Sequence, residues 1–271
     1  MATSASEPAT TASGLADWLL AHGRVAVTSA EVADLLQIPL DQVRVRLNQQ
    51  VRKQRLFSPA RGLWIPIPPE YRTWGAVPAT HFIDQLMRFL ERDYYVGWLA
   101  AAELHGAAHQ RPQVFQVAVN APLPQRDFGR VHLRFVTRSR VREAPRVQMQ
   151  TPTGQIWVAT PELTALDLVD IPRLSGGLNN ATTVLLELSQ DPGLNTARLL
   201  DVASMFPTAT VRRLGYLLAQ FQANVELGPL HSIVDSQSQS HASPLDPRAP
   251  LRGERDHTWN VVVNVVVEPD V

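Results

Sequence analysis

From Gly14 onward, apolar positions recur at the three-and-four spacing of amphipathic helices. "GLADWLLAHGR" sets Leu15, Trp18 and Leu19 on one side and stops at Gly23, which predicts a short helix with a glycine C-terminal signal. "TSAEVADLLQI" repeats the pattern with Val32, Leu35 and Leu36, with Thr28 as N-cap and Glu31 as its capping-box partner. Ile38 and Pro39 make a turn, and a longer helix begins near Leu40 or Asp41, because proline suits a helix start and not its interior. Val43, Leu47, Val51 and Gln54 fall within roughly an 80° arc of this third helix and define its expected buried face. Ala33 falls where the crossing helices approach each other. "LFSPARGLWIPI" then reads as two short strands around a Ser-Pro-Ala-Arg-Gly turn. Three helices followed by a hairpin is the order of a winged helix-turn-helix.

Prolines 66, 68, 69 and 78 break the pattern, so 65–80 reads as the exit from the hairpin and a link. Beyond it, "HFIDQLMRFLERD" predicts an amphipathic helix and "YYVGWLAAAELHGAA" a nearly apolar, buried one. Strands are expected at 113–121, 130–137 and 154–160. "TPELTALDLVDIP" is a helix capped by Thr160 with Pro161 at its first position, and "NNATTVLLELSQ", "NTARLLDVASMF" and "ATVRRLGYLLAQFQ" supply three more. The polar, proline-bearing stretch 235–256 reads as a mobile loop, and "TWNVVVNVVVE" as a strand buried on both faces. The expected class is α+β: a disordered arm (1–13), a winged helix-turn-helix with its linker (14–79), and a larger mixed α/β domain (80–271).

Charge changes this picture locally. The 271 residues carry 25 bases and 25 acids, so nucleic-acid binding has to come from a patch. Such a patch exists: six bases lie between Asp41 and Glu70 with no carboxylate among them. On the third helix Gln42, Val45, Arg46, Gln49, Arg52 and Lys53 point away from the expected core, with Arg44 and Arg55 on its flank and Arg61 at the hairpin tip. Arginine and glutamine pair bidentately with guanine and adenine edges, and bases at the rim meet phosphates. The candidate DNA-binding set is therefore Gln42, Arg44, Arg46, Gln49, Arg52, Lys53, Arg55 and Arg61. A solvated helix face is the competing reading.

Other chemistry is sparse. There is no cysteine, and Lys53 is the sole lysine, which leaves no P-loop lysine, Schiff-base amine or thiolate beyond it. His105 and His109 stand four apart, a zinc-compatible spacing, and a hydrogen-bonded, structural His105 is the competing reading, which the family resemblance described below favours by implying a helix end at Gly106. Asp167 and Asp170, among Leu166 and Leu168, read as helix-face residues. Seven arginines between 126 and 146 against Asp127 and Glu143 mark a basic face suited to DNA, RNA or an acidic partner, or simply to water. No leader or membrane span is visible, so the cytoplasm is expected.

"YYVGWLAAAELHG" (94–106), the "VFQVAVN" strand, "IWVATPELTALDLVD" (156–170), "TVRRLGYLLAQF" (210–221) and "WNVVVNVVVEPD", in this order and spacing, resemble the AbiEi-like antitoxins of bacterial toxin–antitoxin (abortive infection) operons. The resemblance implies a two-domain repressor without cofactor or enzymatic activity. Its winged helix would bind inverted repeats in double-stranded DNA of its own promoter, and its second domain would neutralise a nucleotidyltransferase-like toxin, by direct contact or otherwise. A transcription factor with a ligand-sensing second domain and a nucleic-acid-processing enzyme remain the alternatives.

Overall fold

The computed structural model describes residues 10–107, 112–190, 194–235 and 241–270. In the N-terminal part α1 (Leu15–Ala21), β1 (Val27–Thr28), α2 (Ser29–Leu36) and α3 (Val43–Arg52) precede a hairpin of β2 (Leu56–Ala60) and β3 (Leu63–Pro66). The predicted capping box is formed: the Glu31 N–H donates to the Thr28 hydroxyl and the Thr28 N–H donates to the Glu31 carboxylate at 2.7 Å. β3 lies between β1 and β2 in an antiparallel sheet, with Val27 opposite Trp64.

Leu15, Leu19, Val32, Val43, Leu47, Leu56 and Trp64 form a core of their own. The buried face of α3 differs from the expected one. Gln50 is only 2% exposed whereas Val51 is 38% exposed, and Gln54 lies past the helix end with φ +54°. The chain has to reverse at Lys53 and Gln54 to reach β2, so α3 ends early and rests on Val43, Leu47 and Gln50.

The hairpin contributes to two cores. Leu56 and Trp64 face α1 to α3, while Phe57, Ala60, Leu63, Ile65 and Ile67 belong to the large second core. Alternation along a strand sends neighbours to opposite faces, and here both faces are covered. Phe57 packs 5.2 Å from Phe82 and 5.5 Å from Phe128, ring centre to ring centre, and Arg126 donates to the Pro59 carbonyl. The sequence places a boundary near residue 79; the apolar packing runs across it.

The second part begins with α4 (Ile83–Phe89) and β4 (Tyr94–Val96), then α5 (Trp98–Leu104), β5 (Val114–Val119), β6 (Arg126–Phe128), β7 (Val131–Thr137), β8 (Arg146–Thr151) and β9 (Gly154–Ala159). These strands form one mixed sheet in the order β6-β7-β5-β4-β9-β8. The expected single helix from Tyr94 is thus corrected: Tyr-Tyr-Val is a buried strand of the sheet interior, and the helix starts only after Gly97. A side chain at Gly97 would stand 3.1 Å from the Asp167 carboxylate and from the Tyr95 ring. Tyr94 and Tyr95 point to opposite faces, Tyr94 donating to Asp84 of α4 at 3.0 Å while Tyr95 meets Asp167. β6 and β8, both at sheet edges, escaped the sequence pattern because polar residues dominate them.

Helices α6 (Pro161–Asp170), α7 (Leu178–Leu188), α8 (Thr196–Ala203), α9 (Thr208–Gln220) and α10 (Gly228–Asp235) follow, and β10 (Ser243–Pro244), β11 (Glu254–Asp256) and β12 (Val261–Val263) close the chain as a separate small sheet. Two expectations fail here. Much of the stretch read as a mobile loop is folded, since Leu245 is fully buried and the Arg213 guanidinium donates to the Leu245 and Pro244 carbonyls. The valine run is not a strand buried on both faces: pairing covers Val261–Val263, and Val266 is 81% exposed. Residues 236–240 of the expected loop lie outside the described residues.

Candidate nucleic-acid interface

The exposed side of α3 follows from its anchors. Taking about 100° per residue from the buried line through Val43, Leu47 and Gln50, Val45, Asn48, Gln49 and Arg52 lie within about a 100° arc directly opposite. All four are exposed. Gln42 borders the arc at about 107° from the buried line, Arg44 and Lys53 stand near 90°, and Arg46 near 67°. Compared with the sequence assignment, Arg46 moves from the outward face to the rim, and Asn48, which that assignment left out, joins the outermost row. The signal lay in Gln50, a polar residue occupying a core position.

Arg61 is exposed at the hairpin tip, where Gly62 turns the chain with φ +93°. Between the tip and α3 runs a groove of about 1080 Å³, lined by Asp41, Arg44, Asn48 and Val51 from the helix and its start and by Arg61 and Trp64 from the hairpin.

Electrostatic pairing sorts the eight cations of this part. Arg24 pairs with Glu31; Arg55 pairs with Asp17, and Arg72 lies 3.9 Å from the same carboxylate. The hydrogen bond from Arg55 holds Asp17 below its ordinary pKa. Burial pushes Glu31 up, but hydrogen bonds from Thr28 and Arg24 outweigh it and lower its pKa. Arg44, Arg46, Arg52, Lys53 and Arg61 have no ion pair or side-chain hydrogen bond among the described residues. Seven of the eight candidate residues are thus exposed and open. Arg55 differs, because Asp17 holds it against α1.

A second charged cluster lies in the larger part. Asp167, read from sequence as a helix-face residue, is fully buried. Arg138 donates to Asp167 at 2.8 Å and to Asp170 at 2.6 Å, between the rings of Trp98 and Phe206, and Thr210 donates to Asp170 at 2.6 Å. Burial pushes the Asp167 pKa up to about 7, against the opposing pull of Arg138. That pull is divided between two carboxylates, so burial prevails. This cluster joins the end of β7 to α6 and α9. Its charges are paired with one another, with Asp167 buried and Arg138 22% exposed, unlike the open cations of α3.

His105 Nε2 lies 2.7 Å from the Ala159 carbonyl, which fits the structural reading of that residue, and α5 ends before it. His109 lies outside the described residues. Among the described residues no three His, Asp or Glu side chains gather to hold a metal, and no helix is long and apolar enough to cross a membrane.

Residues 95–220, from β4 to the end of α9, match the family model of the AbiEi antitoxin C-terminal domain. That stretch, just under half of the chain, carries an AbiEi-like antitoxin C-terminal domain. The AbiEi domain therefore contains the Arg138 cluster and most of the mixed sheet, and it supports an antitoxin role, which implies a toxin as partner. A crystal structure of the RV2827C protein from Mycobacterium tuberculosis is similar over 97% of this chain and 95% of that one, at a TM-score of 0.63 and 16% identity. At that identity the likeness shows the fold alone. No curated protein matches the sequence.

Proposed function

We propose that this protein, with its AbiEi domain, is a DNA-binding autorepressor as well as an antitoxin, and that its toxin is nucleotidyltransferase-like. The N-terminal part acts as a winged helix: α3 enters the major groove of inverted repeats in its own promoter, and the β2–β3 tip follows the backbone. The observation that carries the reading is the sorting of charge. All five cations left open in residues 10–79 lie on α3, at its C-cap or at the hairpin tip, while the others face carboxylates. Five open cations gathered around the exposed side of α3 and the hairpin tip repel one another unless a polyanion meets them. The groove between Arg44 and Arg61 suits a sugar-phosphate strand, which leaves Asn48, Gln49 and Arg52 turned to base edges. The reading assigns no catalytic step and no cofactor.

Binding of the purified protein to its own upstream DNA, compared with DNA of scrambled sequence, tests the first activity. The Arg44→Ala, Gln49→Ala, Arg52→Ala triple variant should lose the preference while keeping its fold. Co-expression with the neighbouring toxin gene tests the second: the same variant should still rescue growth while a promoter reporter is derepressed. Loss of rescue together with repression would place protection in DNA binding and remove the separate antitoxic role from the AbiEi domain.

A further inference from the structure

We infer that Val45 is a specificity-determining residue that reads the C5-methyl group of a thymine, in an A·T pair flanked by the amides of α3. The inference rests on the DNA-binding reading above and adds what the helix selects.

Val45 is 70% exposed in the outermost row of a helix that is otherwise polar on that side. A single exposed valine needs no explanation. Its surroundings give it one. At helical spacing its neighbours are Asp41 and Gln42 four and three residues before and Asn48 and Gln49 three and four after, so three carboxamides, with one carboxylate at the helix start, surround one branched methyl pair. All three amides are exposed and have no side-chain hydrogen bond among the described residues. On the two flanks of that row stand the open cations Arg44 and Arg46.

Such a layered arrangement has a counterpart in the major groove. A carboxamide pairs with the N6 and N7 edge of adenine, and the thymine opposite or beside it presents a methyl group, the one apolar feature of any base edge there. A G·C pair has only a C–H where thymine carries its methyl, and the guanine O6 and cytosine N4 beside it are polar groups that Val45 would strip of water without replacing. An aliphatic side chain at this position therefore favours an A·T pair and disfavours G·C. The cations around it supply the attraction to phosphates that brings the helix to that depth.

The test substitutes deoxyuridine for each thymine of the protein's upstream binding site in turn, removing one methyl group at a time and leaving Watson–Crick pairing intact. Unaltered protein should lose about 3- to 10-fold in affinity at one position per half-site, the scale of one or two buried carbon groups. Val45→Ala should bind the unmodified site more weakly by a similar factor and show no further loss at that position. Helical content by circular dichroism should be unchanged, since Val45 is exposed. Equal binding of every deoxyuridine-substituted site by the unaltered protein, or undiminished sensitivity in Val45→Ala, overturns the inference and leaves the DNA-binding reading standing. Failure of the unaltered protein to prefer its upstream DNA at all overturns both.

Discussion

The Arg55 guanidinium, just past the end of α3, donates to the Asp17 carboxylate in α1. That contact separates two neighbouring cations by role: Arg55 fastens the end of α3 to the first helix, and Arg52, one turn earlier, is left open. Arg55→Ala should lower stability by about 0.2–1 kcal/mol, the range of partly exposed ion pairs, and leave DNA affinity nearly unchanged. Arg52→Ala should do the reverse. Urea unfolding and DNA titration of both variants give the comparison; a large loss of DNA affinity in Arg55→Ala would return that residue to the interface.

The small C-terminal sheet depends on a close approach between α9 and Trp259. A Cβ at Gly215 would stand 2.1 Å from the Trp259 ring, so any side chain there displaces the indole. Gly215→Ala should cost about 1–3 kcal/mol through overpacking, despite its better helix propensity. Limited proteolysis should then cut more readily in 241–270. Combining Gly215→Ala with Trp259→Ala should give less than the sum of the two single losses, because the clash is gone. Strict additivity in thermal unfolding would refute the packing account.

Asp167 makes stability depend on pH in a defined direction. Its ordinary pKa is 3.8 and burial raises it to about 7 in the folded protein. Between these values the folded state holds a proton that the unfolded chain has released, so this contribution is fully present below about pH 4 and disappears as pH rises through 7. Asp167→Asn imitates the protonated form and lacks the titration. The Tm of the unaltered protein minus that of Asp167→Asn should therefore fall between pH 5 and pH 8. A difference that stays flat or rises would mean that Arg138 keeps Asp167 ionised throughout.

How much of this was readable from the sequence depends on where each residue finds its partners. The Thr28 to Glu31 capping box and the Thr160 cap were legible because their partners lie three residues away. The strand at Tyr94–Val96 was not, because the apolar run "YYVGWLAAA" fits a buried helix as well as a buried strand, and only pairing with Val117–Val119 decides it. Arg138 with Asp167, and Arg213 with the 244–245 carbonyls, join residues about 30 apart, a distance over which no local pattern runs. The basic patch was legible as composition. Its orientation was not, since burial of Gln50 in place of Val51 turns α3 by about 28°.

The hairpin's two covered faces predict how the chain behaves when cut. A fragment ending at residue 79 would expose Phe57, Leu63, Ile65 and Ile67, which the intact protein buries against the larger part. Such a contiguous apolar patch favours association. The fragment should be aggregation-prone, and the intact protein should unfold with the near-ultraviolet signals of Trp64 and Trp98 changing together. A soluble, cooperatively unfolding fragment of residues 10–79 would show that the N-terminal core suffices alone.

The dependence of DNA affinity on salt addresses the open cationic face most directly. Affinity for the upstream DNA is measured at several salt concentrations for the unaltered protein and for Arg44→Ala, Lys53→Ala and Arg61→Ala. Each phosphate contact removed should flatten the slope of log affinity against log salt by about 0.9, while the preference for the site over scrambled DNA is kept. Identical slopes and affinities in all four proteins would contradict the account and leave α3 and the hairpin tip as a solvated surface.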